Sequence, residues 1–247
     1  MRELFTWQEV ASASGGDSMS VWAAGRLGAG GRAWADHDAV LVGGAGLSLH
    51  DRAVVTGPVA AVDRLVRRAQ AELGPAFWPY GDVDLITELA DRRPDLRLRT
   101  PFGWMATKEH AAPPGDPPPS VRWLGPAELP EAAALLARVY PGSYARPGVP
   151  GVRRWAGIRA PDGRLVATGA DAWSTPTVGL VSGVVTDPAS RGAGLGTHLC
   201  EFLLGALLAE HGRVALMVDD WNTAAIRLYE RLGLGHRPVV AACPRSQ

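Results

Sequence analysis

Three alternating glycines stand immediately before a long stretch of helical periodicity. The segment GVVTDPASRGAGLGTHL, residues 183–199, reads as a strand, a proline turn and a loop containing Gly192, Gly194 and Gly196. Glycines let successive main-chain N–H groups turn towards one point, and the first turn of a helix adds unpaired N–H groups and a positive dipole end. Such a loop predicts a bound phosphate or pyrophosphate.

Two common phosphate-binding motifs do not fit this segment. A P-loop requires a Gly-Lys-Ser/Thr ending, and the segment contains no lysine. A dinucleotide-binding fingerprint requires a parallel βαβ unit followed by an acidic residue, whereas the strands that precede this loop are predicted to form a meander. The glycines alone therefore leave the ligand open.

A second segment with chemical potential is DDWNTAAIRLYERLGL, residues 219–234. Asn222 is a typical helix N-cap, and Tyr229 falls two turns later on the apolar face between Ile226 and Leu232. A cap and a core aromatic would explain these residues without any ligand.

Taken together, the two segments resemble the GNAT N-acyltransferases. Arg191, Gly194 and Gly196 match the Q/R-x-x-G-x-G/A pyrophosphate loop of that family, and the V-x-D-P type strand end precedes them at residues 184–188. Residues 219–234 resemble the family's N-x-x-A-x-x-L-Y-x-x-x-G-F signature. The resemblance covers approximately residues 120–244.

The resemblance implies transfer of an acetyl group from acetyl-CoA to a primary amine of a small molecule or peptide, by direct attack in a ternary complex. Val184, Val185 and Thr186 would line the pantetheine arm, and one of their N–H groups would polarise the thioester carbonyl. Asn222 would hydrogen-bond the cofactor, and Tyr229 would protonate the departing thiolate. The pyrophosphate would be held by Arg191, Gly192, Ala193, Gly194, Leu195, Gly196 and Thr197.

The sequence departs from the family pattern at three positions. Ser182, and no carboxylate, is the central polar residue of TVGLVSGVVT, while Ala193 replaces a frequent arginine and Leu234 a usual phenylalanine. The base that accepts the amine proton is therefore open between a water relay and three carboxylates, Asp171, Asp219 and Asp220. Two alternatives to the acetyltransferase function stay open. One is a non-catalytic acyl-CoA-binding or regulatory module, and the other is an acyltransferase that uses a longer acyl-CoA.

The elements predicted from residue 121 onward run strand, helix, three strands, helix, strand, helix, strand. This order predicts an α+β domain with a mostly antiparallel sheet flanked by helices, which is the fold that the resemblance implies. The helix at Gly194–His211 ends at Gly212, and its predicted inward side chains are Leu195, Leu199, Phe202, Leu203, Ala206 and Leu207.

A proline-rich stretch at residues 111–120 predicts an extended connector. We therefore expect a first module at 1–112, a linker at 113–119 and the acetyltransferase domain at 120–247. The first module repeats a strand-helix-strand-helix-strand order between residues 47 and 108, but Pro58 and Val59 enter its first helix directly, without a glycine loop. A degenerate GNAT-like module in tandem is the resulting prediction, and GRLGAGG at 25–31 is expected to be a flexible loop.

Composition limits the classes of partner. Twenty-five basic residues balance twenty-five acidic ones, which argues against binding nucleic acid or membranes through bulk charge. Cys200 and Cys243 lack metal-ligand or disulfide spacing, so we expect buried inert thiols, no metal and a reducing cytoplasm. The Arg, Ala, Gly and Pro bias suggests a bacterial source, and a monomer or homodimer is expected. Trp155 and Trp173 lie on predicted strands that could line an acceptor pocket.

Overall fold

The structure, a computed structural model, describes residues 1–107 and 120–245. The predicted linker at 113–119 lies outside the described residues. Within the described ranges, thirteen β-strands and seven α-helices form two compact units. The first unit comprises residues 1–104, 218–222 and the segment from 236 onward, and the second comprises 105–217 and 223–235.

The first unit begins with a strand, two short helices and three antiparallel strands. These are β1 (Arg2–Leu4), α1 (Trp7–Ala13), α2 (Ser18–Ala24), β2 (Arg32–Asp36), β3 (Ala39–Leu47) and β4 (His50–Thr56). There follow α3 (Val59–Leu73), β5 (Trp78–Asp82), α4 (Val83–Arg92), β6 (Leu96–Leu98) and β7 (Phe102–Thr107). Strands β4 and β5 are parallel and are joined through α3, and the pairs β1/β2, β2/β3 and β3/β4 are antiparallel.

Local signals account for these elements. Thr6 caps α1, because its hydroxyl accepts from Glu9 N at 3.2 Å while the Glu9 carboxylate accepts from Thr6 N at 3.0 Å. The inward face of α3 is apolar, since Val62, Leu65, Val66 and Ala69 are all buried. The glycine run at 25–31, expected to be a loop, contains a short 3₁₀ turn.

The second unit follows the predicted order of elements. Its members are β8 (Val121–Trp123), a 3₁₀ turn (Pro126–Glu128), α5 (Leu129–Val139), β9 (Val152–Arg159), β10 (Leu165–Ala172), β11 (Gly179–Thr186), α6 (Leu195–His211), β12 (Val214–Val218) and α7 (Thr223–Arg231). The last strand of the chain is β13 (Leu234–Pro244). The sheet runs β12-β11-β10-β9-β8, antiparallel except for the parallel pair β11/β12. The predicted mixed, mostly antiparallel fold is confirmed.

The compact units are not continuous in sequence. In the first unit β13 pairs with β5, with Val239 opposite Asp82 and Ala241 opposite Tyr80. In the second unit Thr107 Oγ1 accepts from Val214 N at 3.1 Å, so the residues after 104 belong there. The division expected from the sequence, 1–112 and 120–247, stays a prediction about domains. The compact units divide the chain differently, because residues 105–107 of β7 fall in the second unit and residues 236–244 of β13 fall in the first.

The long helix α6 buries a face slightly different from the predicted one. Leu199, Leu203 and Leu207 are buried as predicted, whereas Leu195, Phe202 and Ala206 are only half-buried. The buried face is completed by its neighbours Cys200, Leu204 and Leu208. The expected stripe is therefore displaced by one residue along the helix. No helix in residues 1–107 and 120–245 is long and apolar enough to cross a membrane.

Two glycines that flank α3 provide a stability test. Both have left-handed backbones, with φ of 105° at Gly57 and 99° at Gly74. A Cβ at Gly57 would lie 2.3 Å from the Asp38 carbonyl oxygen, whereas a Cβ at Gly74 meets no described atom within 4 Å. Gly74→Ala should lower the free energy of unfolding by about 1–2 kcal/mol through φ alone.

Gly57→Ala should add an overpacking cost of about 1–3 kcal/mol to the same φ cost, because its neighbour is main chain and cannot rotate away. Urea unfolding of the two variants beside the parent protein measures both losses. Equal losses would contradict the close approach at Gly57.

Candidate functional site

Strand β11 carries a bulge in its centre. Thr168 of β10 pairs with Val185, but Ala170 pairs with Ser182, so one residue of β10 faces two residues of β11. Gly183, inside this step, has φ of 63°, a conformation that glycine adopts without steric cost. Bulges bend a strand and release main-chain groups from the ladder, and they are common beside active sites.

The other edge of β11 is paired over only part of its length. The parallel register with β12 runs from Gly179 to Val181, and beyond Val181 no described strand pairs with this edge. Residues 182–184 and 186 are half-exposed, although the first three residues of the strand are buried. Of the predicted lining residues, Val184 and Thr186 are half-exposed and Val185 is buried.

Asp187 fixes the turn that leaves β11. Its carboxylate accepts from Ala189 N at 3.0 Å and pairs with Arg138 at 2.7 Å and Arg164 at 2.9 Å. The Ala189 N–H and the two guanidinium groups hold the pKa of this carboxyl below its usual range, against the opposing effect of desolvation. Arg191 Nε then donates to Thr186 O at 3.4 Å, which keeps the loop close to the end of the strand.

The predicted pyrophosphate residues form one exposed loop that runs into α6. Gly192 and Gly194 have φ of 84° and 75°, and residues 191–194 are exposed. Gly194 is the N-cap, and no side chain of the described chain caps this helix end. The N–H groups of Leu195, Gly196 and Thr197 consequently have no partner within the helix, as the geometry of a helix start requires. An anion is the complementary ligand.

Three elements converge at the start of α6. A Cβ on Gly196 would lie 3.5 Å from Thr186 Oγ1 and 3.9 Å from Leu228 Cδ1. The end of β11, the first turn of α6 and the helix α7 therefore meet around one small residue. Tyr229, the predicted proton donor, is the next residue on α7.

Tyr229 is paired with the Cys200 thiol. The two side chains are hydrogen-bonded, and their exposed fractions are only 8% and 1%. Burial raises the pKa of the Tyr229 phenol well above its usual range, and the adjacent Cys200 raises it further. Burial also raises the pKa of Cys200 to about 12. Both groups are therefore protonated at neutral pH. Sequence reasoning anticipated the buried thiol but not this contact, because nothing in a 29-residue separation indicates it.

Asn222 lies directly before α7, and its N–H donates to Asp219 O at 2.9 Å. It belongs to the segment 218–222 of the first unit. Its predicted hydrogen bond to the cofactor stays a prediction.

The carboxylate of Asp171, a candidate base, is already paired with side chains of the protein. It is fully buried, accepts from Arg154 Nε at 3.1 Å and from the Ser174 hydroxyl, and lies 3.5 Å from Arg153. A carboxylate held by these partners has no open face for a substrate amine. Asp220 is exposed and lies 3.8 Å from His236 Nε2.

Asp171 also approaches two other potential metal ligands, Glu210 and His211, with the three ligand atoms within 4.8 Å of one another. Arg153 and Arg154 both pair with Glu210 and with Asp171. Two guanidinium groups balance the two carboxylates, so the donor set suits an ion-pair network better than a cation site.

Comparison with known proteins agrees with this geometry. Residues 143–234 match the family model described as Acetyltransferase (GNAT) family. The remainder of the chain lies outside the family model.

Curated relatives match a short stretch of this chain. A mycothiol acetyltransferase of Salinispora arenicola is 46% identical over 61 residues, which is 24% of this chain and 20% of the relative. Another, of Streptosporangium roseum, is 51% identical over 57 residues, 23% of this chain and 17% of the relative. The chain thus spans about a fifth of the length of the curated relatives that it matches.

Solved structures extend the likeness in fold to most of the chain. A GCN5-related N-acetyltransferase from Sphaerobacter thermophilus has a TM-score of 0.55 and 18% identity, covering 95% of this chain and 89% of its own. One from Kribbella flavida has a TM-score of 0.52 and 21% identity, covering 85% and 87%. At these identities the comparison supports the fold alone.

The Cys200–Tyr229 pair predicts a very unreactive thiol. In a Cys243→Ser variant, Cys200 is the remaining cysteine. With the pKa of Cys200 raised to about 12, the thiolate fraction at pH 8 is lower than in the unfolded chain by roughly a thousandfold. Reaction with Ellman's reagent should be negligible in the native protein and complete in urea. Rapid labelling of the native variant would contradict the burial of the pair.

Proposed function

We propose that this chain is an acetyl-CoA-dependent N-acetyltransferase acting on a primary amine of a small molecule or peptide. The observation that carries the proposal is the half-paired, bulged strand β11, which runs directly into an exposed glycine loop at a helix start. A ligand with an extended polar arm and a pyrophosphate fits both features. The match of residues 143–234 to the GNAT family model supports acyl transfer as the reaction class.

The proposed cofactor contacts follow the two features in order. Val184, Val185 and Thr186 hydrogen-bond the pantetheine arm through their main chain, and the N–H groups from Arg191 to Thr197 surround the pyrophosphate. Arg191 supplies the positive charge of this loop, since Ala193 carries none. Acetyl-CoA supplies the thioester whose carbonyl carbon is attacked.

The proposed chemistry needs two contributions from the chain. A main-chain N–H of β11 donates to the thioester oxygen as negative charge develops there. Tyr229 gives its proton to the sulfur when the carbon–sulfur bond breaks and the new amide bond forms. The amine proton leaves through a water relay, or to Asp219 or Asp220, because Asp171 is held by its arginine and serine partners.

Two alternatives remain distinct from this proposal. A non-catalytic acyl-CoA-binding or regulatory module is motivated by Ser182, which stands on β11 where relatives often carry a carboxylate. A longer acyl-CoA donor would use the same main-chain contacts. The similarity to mycothiol acetyltransferases is confined to a fifth of those proteins, so it supports acyl transfer but does not identify the acceptor.

The setting proposed for the enzyme is a reducing bacterial cytoplasm, with the chain as a monomer or homodimer. Two free, buried cysteines support the reducing compartment. Acetyl-CoA and an amine are the proposed partners.

Calorimetric titration with acetyl-CoA, CoA and longer acyl-CoAs tests the cofactor assignment directly. We expect binding of acetyl-CoA to the parent protein and weaker binding to an Arg191→Ala variant, which loses the loop's guanidinium. Arg227→Ala removes another exposed arginine and serves as the matched control. Absence of binding to every acyl-CoA would remove the basis of the proposal.

Replacing Tyr229 by Phe tests its role as the acid. We expect kcat to fall by about 10²–10⁴-fold while acetyl-CoA affinity is unchanged, because the ring is kept and only the proton is lost. Tyr144→Phe is the matched control, since Tyr144 is an exposed tyrosine of the same unit. An unchanged kcat in the Tyr229 variant would exclude it as the acid. A parent protein that binds acetyl-CoA and acetylates no amine would favour the binding module.

The raised pKa of Tyr229 sets the expected pH profile. The acid works in its protonated form, so raising its pKa extends activity to higher pH. Turnover should therefore rise from about pH 7 as the amine loses its proton, and it should show no decline below about pH 10. A steady-state pH profile at saturating acetyl-CoA measures this. A fall in kcat between pH 8 and 9 would contradict a buried phenol as the acid.

A further inference from the structure

Trp155 carries a buried donor that nothing in the described chain satisfies. Its side chain is 2% exposed, and the indole Nε1 has no hydrogen-bond partner among residues 1–107 and 120–245. By contrast, the nearby Trp173 Nε1 donates to Pro150 O at 3.1 Å. An indole N–H can only donate, and leaving it buried without an acceptor is unfavourable.

The ring of Trp155 lies directly against the bulge of β11. A Cβ on Gly183 would be 2.9 Å from Trp155 Cη2 and 3.2 Å from Cζ3. These two atoms form the end of the indole opposite to Nε1. One end of the ring therefore contacts the strand proposed to hold the thioester, and the N–H lies at the other end.

Trp155 also lines a cleft of about 160 Å³. Leu124, Leu129 and Val152 give this cleft apolar walls, and its polar side chains are Arg153, Arg154 and Trp155. Arginine and tryptophan side chains are donors only. A molecule that enters the cleft must therefore bring the hydrogen-bond acceptor.

The arginines of the cleft are already neutralised. Arg153 pairs with Glu210 at 2.9 Å, Arg154 pairs with Asp171 at 3.1 Å and also with Glu210, and the guanidinium of Arg154 stacks over Trp123 at 4.1 Å. Two positive charges thus face two negative ones. The unsatisfied donor is the uncharged indole N–H, whose natural partner is an uncharged carbonyl oxygen.

We infer that this cleft is the acceptor subsite, and that it receives the carbonyl oxygen of a carboxamide or peptide group on the acceptor amine. Trp155 Nε1 donates to that oxygen, and the amine reaches the bulge of β11 at the opposite end of the ring. Trp155 is therefore a residue that determines acceptor specificity. The inference rests on the proposed function for its reaction, but binding in the cleft is testable without turnover.

Indole resonances of protein labelled with ¹⁵N-tryptophan provide that test. The Trp155 signal is assigned from its loss in Trp155→Phe, and the parent protein is titrated with β-alaninamide, β-alanine and n-butylamine. We expect β-alaninamide to shift the Trp155 N–H signal at lower concentration than either other amine. No shift with β-alaninamide, or an equal response to n-butylamine, would overturn the inference whatever the activity.

Kinetics add a readout that a packing role would not produce. Trp155→Phe keeps a ring against Gly183 and removes the donor, so KM for β-alaninamide should rise by about 2- to 10-fold with kcat nearly unchanged. KM for n-butylamine should not change. Trp34→Phe is the matched control, because Trp34 Nε1 is also buried without a described partner but belongs to the first unit.

The same change in KM for both amines would show that Trp155 acts only by packing, and the inference would be wrong. Failure of the proposed function looks different. In that case no amine is acetylated by the parent protein, while the selective shift of the Trp155 resonance persists and the cleft stands as a carbonyl-binding site.

Discussion

A strand buried in a sheet normally satisfies main-chain groups along both of its edges. Unpaired buried N–H and C=O groups are costly, and proteins leave few of them. Strand β11 meets this requirement as far as Val181, where its pairing with β12 ends, and from there no strand of the described residues pairs with that edge. Gly183 then breaks the register on the other edge. Water or a ligand must therefore supply the hydrogen bonds that the main-chain groups of β11 lack beyond Val181. The surrounding residues are best understood by their contacts with this part of the strand.

The neighbours of β11 keep the open edge in place. Trp155 packs under Gly183 and leaves no room for a side chain there, so the left-handed turn of the bulge is retained. Asp187 joins the end of the strand to Arg138 and Arg164, which fixes the direction in which the glycine loop begins. The loop itself needs no such contacts, because an anion would supply them.

The predictions that succeeded rest on local signals. The strand, proline turn, glycine loop and amphipathic helix of residues 183–211 each depend on near neighbours, and Gly194 and Gly212 bound α6 as expected. The first three strands and two helices were missed. β1, α1, α2 and β2 are short, and the longer β3 contains three glycines that weaken its strand pattern. Their stability comes from pairing with one another and from caps such as Thr6 with Glu9.

The missed features of the site are contacts between residues far apart in sequence. Asp171 looked like a possible base because its strand neighbours the cofactor strand, but Arg154, seventeen residues earlier, occupies its carboxylate. The pairing of Tyr229 with Cys200 depends on how α6 and α7 pack, which periodicity does not specify. The place of β13 beside β5 is equally non-local. Sequence patterns give element types, and these partnerships require the tertiary structure.

Each unit contains a parallel strand pair joined through a helix, and the two helices begin differently. In α6 the first four-residue bond runs from His198 N to Gly194 O at 3.1 Å, so three earlier N–H groups stay available. In α3 both Ala61 N and Val62 N donate to Pro58 O at 3.0 Å. The Ala61 N–H, which belongs to the first turn, is therefore already bonded and is not available to an anion. The same strand-helix-strand arrangement therefore presents fewer donors in the first unit. A tandem origin, in which the first unit has lost an anion-binding loop, stays a prediction.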